Sequence, residues 1–386
     1  MKTHDYDILI VGGGLVGASL ALALASRWRV AVLERSAPPQ ASSEPDVWDS
    51  RIYAVSPGNR AFLESMGGWR VPATRVGNIR EMDVRGDDGG LICFDALDMA
   101  AERLAATVEN SALQASLWQA LEGRVTLIAG SKAVAASFDA DRASIELDDG
   151  RKITTALAVA ADGAQSWLRQ AAGIDFERRP YGQLGVVANF RCERSHGDIA
   201  RQWFRNDGIL AWLPLPGNRI SIVWSTDEQK SAELRALDGE ALADRVAAAG
   251  GRQLGALQTI TPAAAFPLAL GKAATVTAQR LALVGDAAHT VHPLAGQGVN
   301  LGFGDTRCLS EMLAPAHVDD PGAAHLLARY ARARAEEVWT MQTLCDGLQR
   351  LFGSRDPVLA GLRNFGLSMT NRAGPLKRVL MRRAFQ

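Results

Sequence analysis

The first 34 residues contain two short apolar runs separated by a glycine-rich turn and an Ala/Leu-rich segment. Residues 6–11 and 30–33 are the apolar runs, and the second ends at Glu34. Runs of this length are typical of buried strands, and the longer segment at 15–26 is typical of a helix. The pattern predicts a β-α-β unit of about 30 residues, in which a helix connects two parallel strands.

The middle of the chain alternates apolar and polar residues at 182–191, 201–213 and 219–225, which predicts antiparallel strands with a tight turn at Pro216-Gly217. Four large aromatic residues lie on these strands and either line an apolar substrate pocket or pack in a core behind the sheet. They are Trp203, Phe204, Trp212 and Trp224.

Helical character at 232–249, a strand at 281–284 and helices from 323 onward complete the pattern. The predicted fold class is α/β (α+β overall), a Rossmann-like nucleotide-binding domain in discontinuous pieces with an inserted β-sheet substrate domain and a helical C-terminal tail. The predicted bounds are 1–75, 105–180 and 275–345 for the nucleotide-binding domain, 76–104 and 181–274 for the substrate domain, and 346–386 for the tail.

Gly12, Gly14 and Gly17 form a G-x-G-x-x-G motif between the first strand and the first helix. Gly12 permits the tight turn, Gly14 admits a pyrophosphate, and Gly17 allows close packing of helix and strand. The helix N-terminus offers unpaired N–H groups to the phosphates. Glu34 suits a ribose 2′-hydroxyl and would repel a 2′-phosphate, so the site favours FAD or NAD over NADP.

A second motif indicates FAD. The strand at 281–284 ends at Gly285-Asp286, where a carboxylate can bind ribityl hydroxyls. Gly296 and Gly298 allow close approach of the backbone, and a helix starting near Val299 would point its positive end at the flavin N1–C2=O edge.

Charge and composition exclude several classes. Lys+Arg and Asp+Glu each number 42, which argues against general nucleic-acid binding. The 4 cysteines form no C-x-x-C pair, so we expect free thiols and no metal site. Residues 8–25 lack charge, but the glycines at 12–14 and the acids Asp5 and Asp7 argue against a membrane span or signal peptide.

The run at 292–305, HPLAGQGVNLGFGD, resembles the signature of the ubiquinone-biosynthesis hydroxylases. These are class A flavoprotein monooxygenases related to para-hydroxybenzoate hydroxylase. Segments 161–169, 49–57 and 108–114 are similar to other motifs of that superfamily, so the resemblance covers nearly the whole chain.

The resemblance implies roles for individual residues. Asp162 would lie between the FAD pyrophosphate and the NAD(P)H route, Gln114 at the ribityl chain, and the backbone of Val134 near the adenine. Arg51 would lie near the flavin, and His292 and Pro293 would face it as tentative catalytic residues. Alternatively, Arg51 is a cation on the surface of a loop, and His292 supports its own loop through hydrogen bonds to the backbone. Further cofactor contacts are implied for Arg35, Gln297 and Asn300.

The activity implied is hydroxylation of a phenol ring in ubiquinone biosynthesis, by NAD(P)H reduction of bound FAD, reaction with O2 and transfer of oxygen from a flavin C4a-hydroperoxide. Two alternatives stay open: hydroxylation of another phenol, and a flavin-bearing scaffold subunit of a quinone-synthesis complex.

The C-terminal segment is basic. Residues 347–386 contain eight basic residues and one acid, with apolar residues such as Leu348 and Leu351 between them. Such a segment either binds an anionic membrane surface or a protein partner, or packs on its own domain. We expect a cytoplasmic protein that acts on a lipophilic phenol. Peripheral contact with the inner face of the membrane, through the basic segment, is one arrangement that would bring it to such a substrate.

Overall fold

The computed structural model describes residues 4–40, 42, 44, 46–87, 89–292 and 297–353. The helices are α1 (Leu15–Leu24), α2 (Pro57–Ser65), α3 (Asn110–Leu121), α4 (Trp167–Ala171), α5 (Glu228–Ala236), α6 (Gly239–Ala249), α7 (Gln297–Leu313) and α8 (Ala324–Gly353).

In the first half of the chain the strands are β1 (Tyr6–Val11), β2 (Val30–Glu34), β3 (Ile52–Val55), β4 (Val76–Ile79), β5 (Glu81–Arg85), β6 (Leu91–Asp95), β7 (Ala105–Glu109), β8 (Thr126–Ala129), β9 (Ala133–Phe138), β10 (Ala143–Leu147) and β11 (Lys152–Ala160). The later strands are β12 (Phe176–Cys192), β13 (Ile199–Arg205), β14 (Gly208–Leu215), β15 (Arg219–Thr226), β16 (Leu257–Thr259), β17 (Ala264–Ala273), β18 (Thr277–Ala278), β19 (Leu281–Leu283) and β20 (His289–Thr290).

The first sheet has the order β18-β19-β11-β1-β2-β8, and its strands from β19 to β8 run parallel. Strands that are buried on both faces have continuous apolar sequences, as Ile8, Leu9 and Ile10 show with 0% exposure. Helices α1, α3 and α7 pack in the core on one face. This arrangement confirms the predicted fold class.

The second sheet has the order β20-β17-β12-β15-β14-β13-β5-β6, with β16 beside β12. One face packs against α5 and α6, and Trp212 and Trp224 are each 1% exposed in that core. Trp203 stacks edge-on against Trp212, with ring centroids 4.8 Å apart, and Phe204 lies in a separate core with Leu213. The core interpretation is therefore correct for these aromatic residues, and the pocket interpretation is wrong.

A third sheet has the order β3-β7-β4 and contacts β14. It contains both β4, which we assigned by sequence to the inserted domain, and β7, which we assigned to the nucleotide-binding domain. The domain bounds therefore stay a prediction.

Two segments that were each predicted as a single element form two elements in the structure. Residues 201–213 belong to both β13 and β14, which meet at a turn before Gly208 (φ +125°). Residues 232–249 belong to α5 and α6, because the side chain of Asp238 accepts a hydrogen bond from Ala241 N and caps a new helix.

Helix α8 continues past residue 346, where the tail was predicted to begin, and Leu348 and Leu351 pack against the core beside the second sheet. This part of the tail packs on its own domain. Residues 354–386, with most of the basic side chains, lie outside the described residues. Among the helices that the structure describes, none is both long and apolar enough to span a bilayer.

Candidate cofactor and active site

Four neighbouring parallel strands end at one edge of the first sheet, in the order β19, β11, β1, β2. Gly285, Asp162, Gly12 and Glu34 lie at these ends. Backbone hydrogen bonds from Gly12 N to Leu33 O (2.8 Å) and from Val284 N to Ala160 O (3.0 Å) join the ends of neighbouring strands. The structure therefore brings both predicted motifs to the edge where open α/β sheets bind ligands.

The three glycines of the first motif differ in whether the structure leaves room for a side chain. Gly12 has φ +107°, and a Cβ there would lie 2.3 Å from Ala161 O. A Cβ on Gly17 would lie 1.9 Å from Gly12 O, so both positions exclude a side chain. A Cβ on Gly14 would meet no atom within 4 Å. Gly14 is the N-cap of α1 and offers no side-chain acceptor to the first N–H groups of the helix.

Glu34 closes the first turn of this motif. Its Oε2 accepts from Gly13 N at 2.7 Å, and its Oε1 accepts from Ser36 N at 2.9 Å. Gly13 O in turn accepts from Gln114 Nε2 at 3.1 Å and from Trp118 Nε1 at 2.7 Å. Gln114 therefore touches the glycine turn, and Trp118, which sequence reasoning missed, lies one helical turn beyond it on α3.

The second motif meets the first through Val16. Gly285 has φ +59°, and a Cβ there would lie 3.2 Å from a methyl carbon of Val16. A Cβ on Gly302, in α7, would lie 2.6 Å from the same methyl carbon and 3.4 Å from Gly285 Cα. The glycine turn, the Gly285-Asp286 turn and α7 therefore converge on one side chain, and Gly302 was missed from sequence.

Asp286 lies at the tip of this turn, where solvent still reaches part of its side chain although neighbouring residues displace much of the water around it. Loss of hydration raises the pKa of its carboxyl, although the charges of His289 and Arg51 oppose the shift. Arg51 is exposed, and its backbone N–H donates to Asp49 Oδ1 at 2.9 Å. The positive charge of Arg51 therefore favours the ionised form of Asp286.

Asn300, in the first turn of α7, holds three protein partners with its side chain. Its Nδ2 donates to Ala54 O at 2.8 Å, and its Oδ1 accepts from Ser56 N at 2.9 Å and from Asn59 Nδ2 at 3.1 Å. These bonds join α7 to β3 and α2. Gln297, Gly298 and Val299 form the first turn of α7, as the second motif requires.

His292 has 0% exposure, and neither ring nitrogen has a hydrogen-bond partner among the described residues. Burial lowers its pKa to about 4, so the ring is neutral at pH 7. Its ring stacks edge-on against Tyr181, with centroids 5.1 Å apart. A register shift between Pro180 and Gln183 in β12 places Tyr181 at an irregularity, a device that redirects side chains near sites.

Other predicted positions are less informative. His289 contacts buried Asp305 through Nε2 at 2.7 Å and so supports the loop. Val134 lies on β9 with 52% exposure, and Arg35 is exposed beside Glu34. Pro293 and Gly296 lie outside the described residues.

The residues at the sheet edge fit a dinucleotide. The space at Gly14 can hold a pyrophosphate, and Glu34 is placed for a ribose. Asp162 Oδ2 accepts from Leu168 N at 3.1 Å, whereas its buried Oδ1 has no partner in the described part of the chain. A buried oxygen without a partner at this edge fits a site completed by a polar ligand.

The parallel sheet, its two converging turns and the antiparallel sheet beside them define the fold of FAD-dependent monooxygenases. The solved p-nitrophenol 4-monooxygenase PnpA from Pseudomonas putida matches with a TM-score of 0.79 at 20% identity, over 99% of this chain and 97% of that one. The FAD binding domain family matches residues 106–344, and an FAD dependent oxidoreductase family matches residues 7–45.

Curated relatives match over the full length. The chain is 37% identical to the 3-demethoxyubiquinol 3-hydroxylase of Escherichia coli, over 100% of this chain and 99% of that protein. It is also 37% identical to the ubiquinone hydroxylase UbiL of Rhodospirillum rubrum, over 98% of this chain and 89% of that protein. The chain belongs to the ubiquinone-biosynthesis hydroxylase family of FAD-dependent monooxygenases, which confirms the resemblance and makes FAD its cofactor.

Proposed function

We propose that the protein hydroxylates the aromatic ring of a lipophilic phenol on the way to ubiquinone, with NAD(P)H and O2 as co-substrates. The convergence of the two glycine turns on Val16 beside a second, antiparallel sheet carries this proposal. The names of the full-length relatives support the substrate class. When bound, FAD supplies the redox and oxygen chemistry.

The residues at the sheet edge would hold the cofactor along its length. The N-terminus of α1 would bind the pyrophosphate, Glu34 the adenosine ribose, and Asp286 the ribityl hydroxyls. Glu34 already accepts a backbone N–H with each oxygen, so each still has a lone pair for a ribose hydroxyl. The first turn of α7 would face the flavin ring.

His292 would contact the substrate as a neutral hydrogen-bonding group. It is fully buried, its ring nitrogens lack partners among the described residues, and it contacts Tyr181 at the irregularity of β12. A phenol hydroxyl can both donate to and accept from a neutral imidazole. Arg51 would place positive charge near Asp286 and the cofactor.

The experiment is an absorption spectrum of the purified protein, followed by NAD(P)H consumption and product analysis with a prenylated phenol. We expect a flavin spectrum and a hydroxylated product formed in step with NAD(P)H oxidation. A deletion strain should accumulate the unhydroxylated quinone precursor. A flavin-bearing protein that gives no hydroxylated phenol would contradict the activity, and a normal quinone profile would contradict the substrate.

The basic C-terminal segment supports a peripheral membrane contact, which would bring the active site to a lipid-dissolved substrate. Within 354–386, seven residues are basic and one is acidic. Basic segments of this kind bind anionic headgroups. The basic residues are Arg355, Arg363, Arg372, Lys377, Arg378, Arg382 and Arg383.

Cosedimentation with vesicles tests this contact. Replacing Lys377, Arg378, Arg382 and Arg383 with Gln should reduce binding to phosphatidylglycerol vesicles and leave the flavin spectrum unchanged. Gln at the exposed Arg142 and Arg151 is the control for lost surface charge. Equal binding by both variants would contradict a role for the tail, and binding to neutral vesicles would contradict an electrostatic one.

A further inference from the structure

A buried ionic cluster lies directly beneath the second turn. Asp305, on α7, is 1% exposed. Its Oδ2 accepts from Gly285 N at 2.8 Å and contacts His289 Nε2 at 2.7 Å, and its Oδ1 accepts from Arg334 Nε at 2.7 Å. A buried carboxylate is stable only when charges and donors compensate it, and all three of these partners do so.

Arg334 extends the cluster to the start of α7. It is 4% exposed, and its Nη2 donates to Leu301 O at 3.1 Å while its Nε holds Asp305. Arg334 comes from α8 and binds α7 at two points, while Asp305 connects it to the Gly285-Asp286 turn. Burial alone would raise the pKa of Asp305, but His289, Arg334 and the Gly285 N–H outweigh it and lower that pKa.

We propose that Asp305 and Arg334 are positioning residues for FAD, which act by fixing the Gly285-Asp286 turn against α7. The Gly285 amide that Asp305 accepts from precedes Asp286 by one residue. The direction of the Asp286 carboxylate therefore depends on this bond. The inference rests on the proposed role of Asp286 at the ribityl chain.

The alternative is that the cluster only stabilises the fold, and a double-mutant cycle separates the two. FAD dissociation constants are measured by flavin fluorescence for the wild type, Asp305→Asn, Asp286→Asn and the double variant. We expect Asp305→Asn to weaken FAD binding about tenfold in the wild-type background and by less than about threefold beside Asp286→Asn, because residues acting through one turn are not additive. Equal factors in both backgrounds would overturn the proposal.

If Asp305→Asn does not fold, Arg334→Lys is the second variant to test. It keeps the positive charge but loses the guanidinium, whose two nitrogens bind Asp305 and Leu301 O at the same time. It should weaken FAD binding strongly in the wild-type background and much less beside Asp286→Asn, and unchanged affinity would overturn the proposal.

Asp320→Asn is the matched control. Asp320 pairs with Arg280, which precedes β19 and so lies at the opposite end of that strand from Gly285. It should leave FAD affinity unchanged. Failure of the wild type to bind FAD would refute the proposed function itself.

Discussion

The amide of Gly13 donates a hydrogen bond of 2.7 Å to Oε2 of Glu34, so the ends of the first two strands are joined by a carboxylate. This carboxylate is also the group we propose for the adenosine ribose. Its loss should therefore affect nucleotide binding in a way that depends on the adenosine half.

Glu34→Ala should weaken FAD binding roughly 10- to 100-fold, since hydrogen bonds to charged groups contribute about 1.5–3 kcal/mol each. Riboflavin lacks the adenosine half, so whatever weak binding it shows should not change. Titration of the apoprotein with both ligands measures the difference. Glu122→Ala, at an exposed position after α3, is the control. A Glu34 variant with wild-type affinity for FAD would exclude the ribose contact.

Gly14 and Gly17 should respond oppositely to alanine. A Cβ on Gly14 meets only open space, so Gly14→Ala should keep the melting temperature but weaken FAD binding about tenfold or more, by intruding on the pyrophosphate. A Cβ on Gly17 would lie 1.9 Å from Gly12 O, so Gly17→Ala should lower the melting temperature of the apoprotein. Equal stability of the two variants would contradict this division of roles.

The β-α-β unit and the two turns were predictable because their signals are local in sequence: glycine spacing, Glu34 after a strand, and a strand ending at Gly285-Asp286. Local signals also existed for two features that we missed, the Asn206-Asp207 turn before Gly208 between β13 and β14 and the Asp238 cap of α6. Periodicity across these segments obscured both breaks.

The cluster around Asp305 was not predictable, because Arg334 reaches it from another helix 29 residues away. Nothing in the local pattern of α8 distinguishes Arg334 from its exposed neighbour Arg332. Trp118 and Gly302 were missed for the same reason, since their importance arises from contacts with Gly13 and Val16 that exist only in the folded chain.

Asn300 should be a structural connection between α7 and β3. Asn300→Leu removes the donor to Ala54 O and the acceptor for Ser56 N, and leaving buried polar groups unpaired costs about 1–3 kcal/mol each. The urea midpoint of the apoprotein should therefore fall. Ser65→Ala, which removes one exposed side-chain bond on α2, should change it little. An Asn300 variant of normal stability that loses only FAD affinity would instead favour direct contact with the cofactor.

His292 should make stability depend on pH between about 4 and 6.5. Because burial lowers its pKa from the ordinary value of 6.5 to about 4, protonation favours the unfolded chain. Its stabilising contribution is complete above pH 6.5 and is lost as the pH falls toward 4, by about 2 kcal/mol at pH 5.

Urea unfolding with excess FAD at pH 8 and pH 5 measures this dependence. The wild type should lose more free energy of unfolding between these values than His292→Phe, which keeps an aromatic ring against Tyr181 but cannot titrate. His325→Gln, at an exposed position on α8, should behave as the wild type does. If His292→Phe and the wild type lost equal stability on acidification, folding would not shift the pKa of His292, which would contradict the burial that we propose keeps this imidazole neutral beside the phenol.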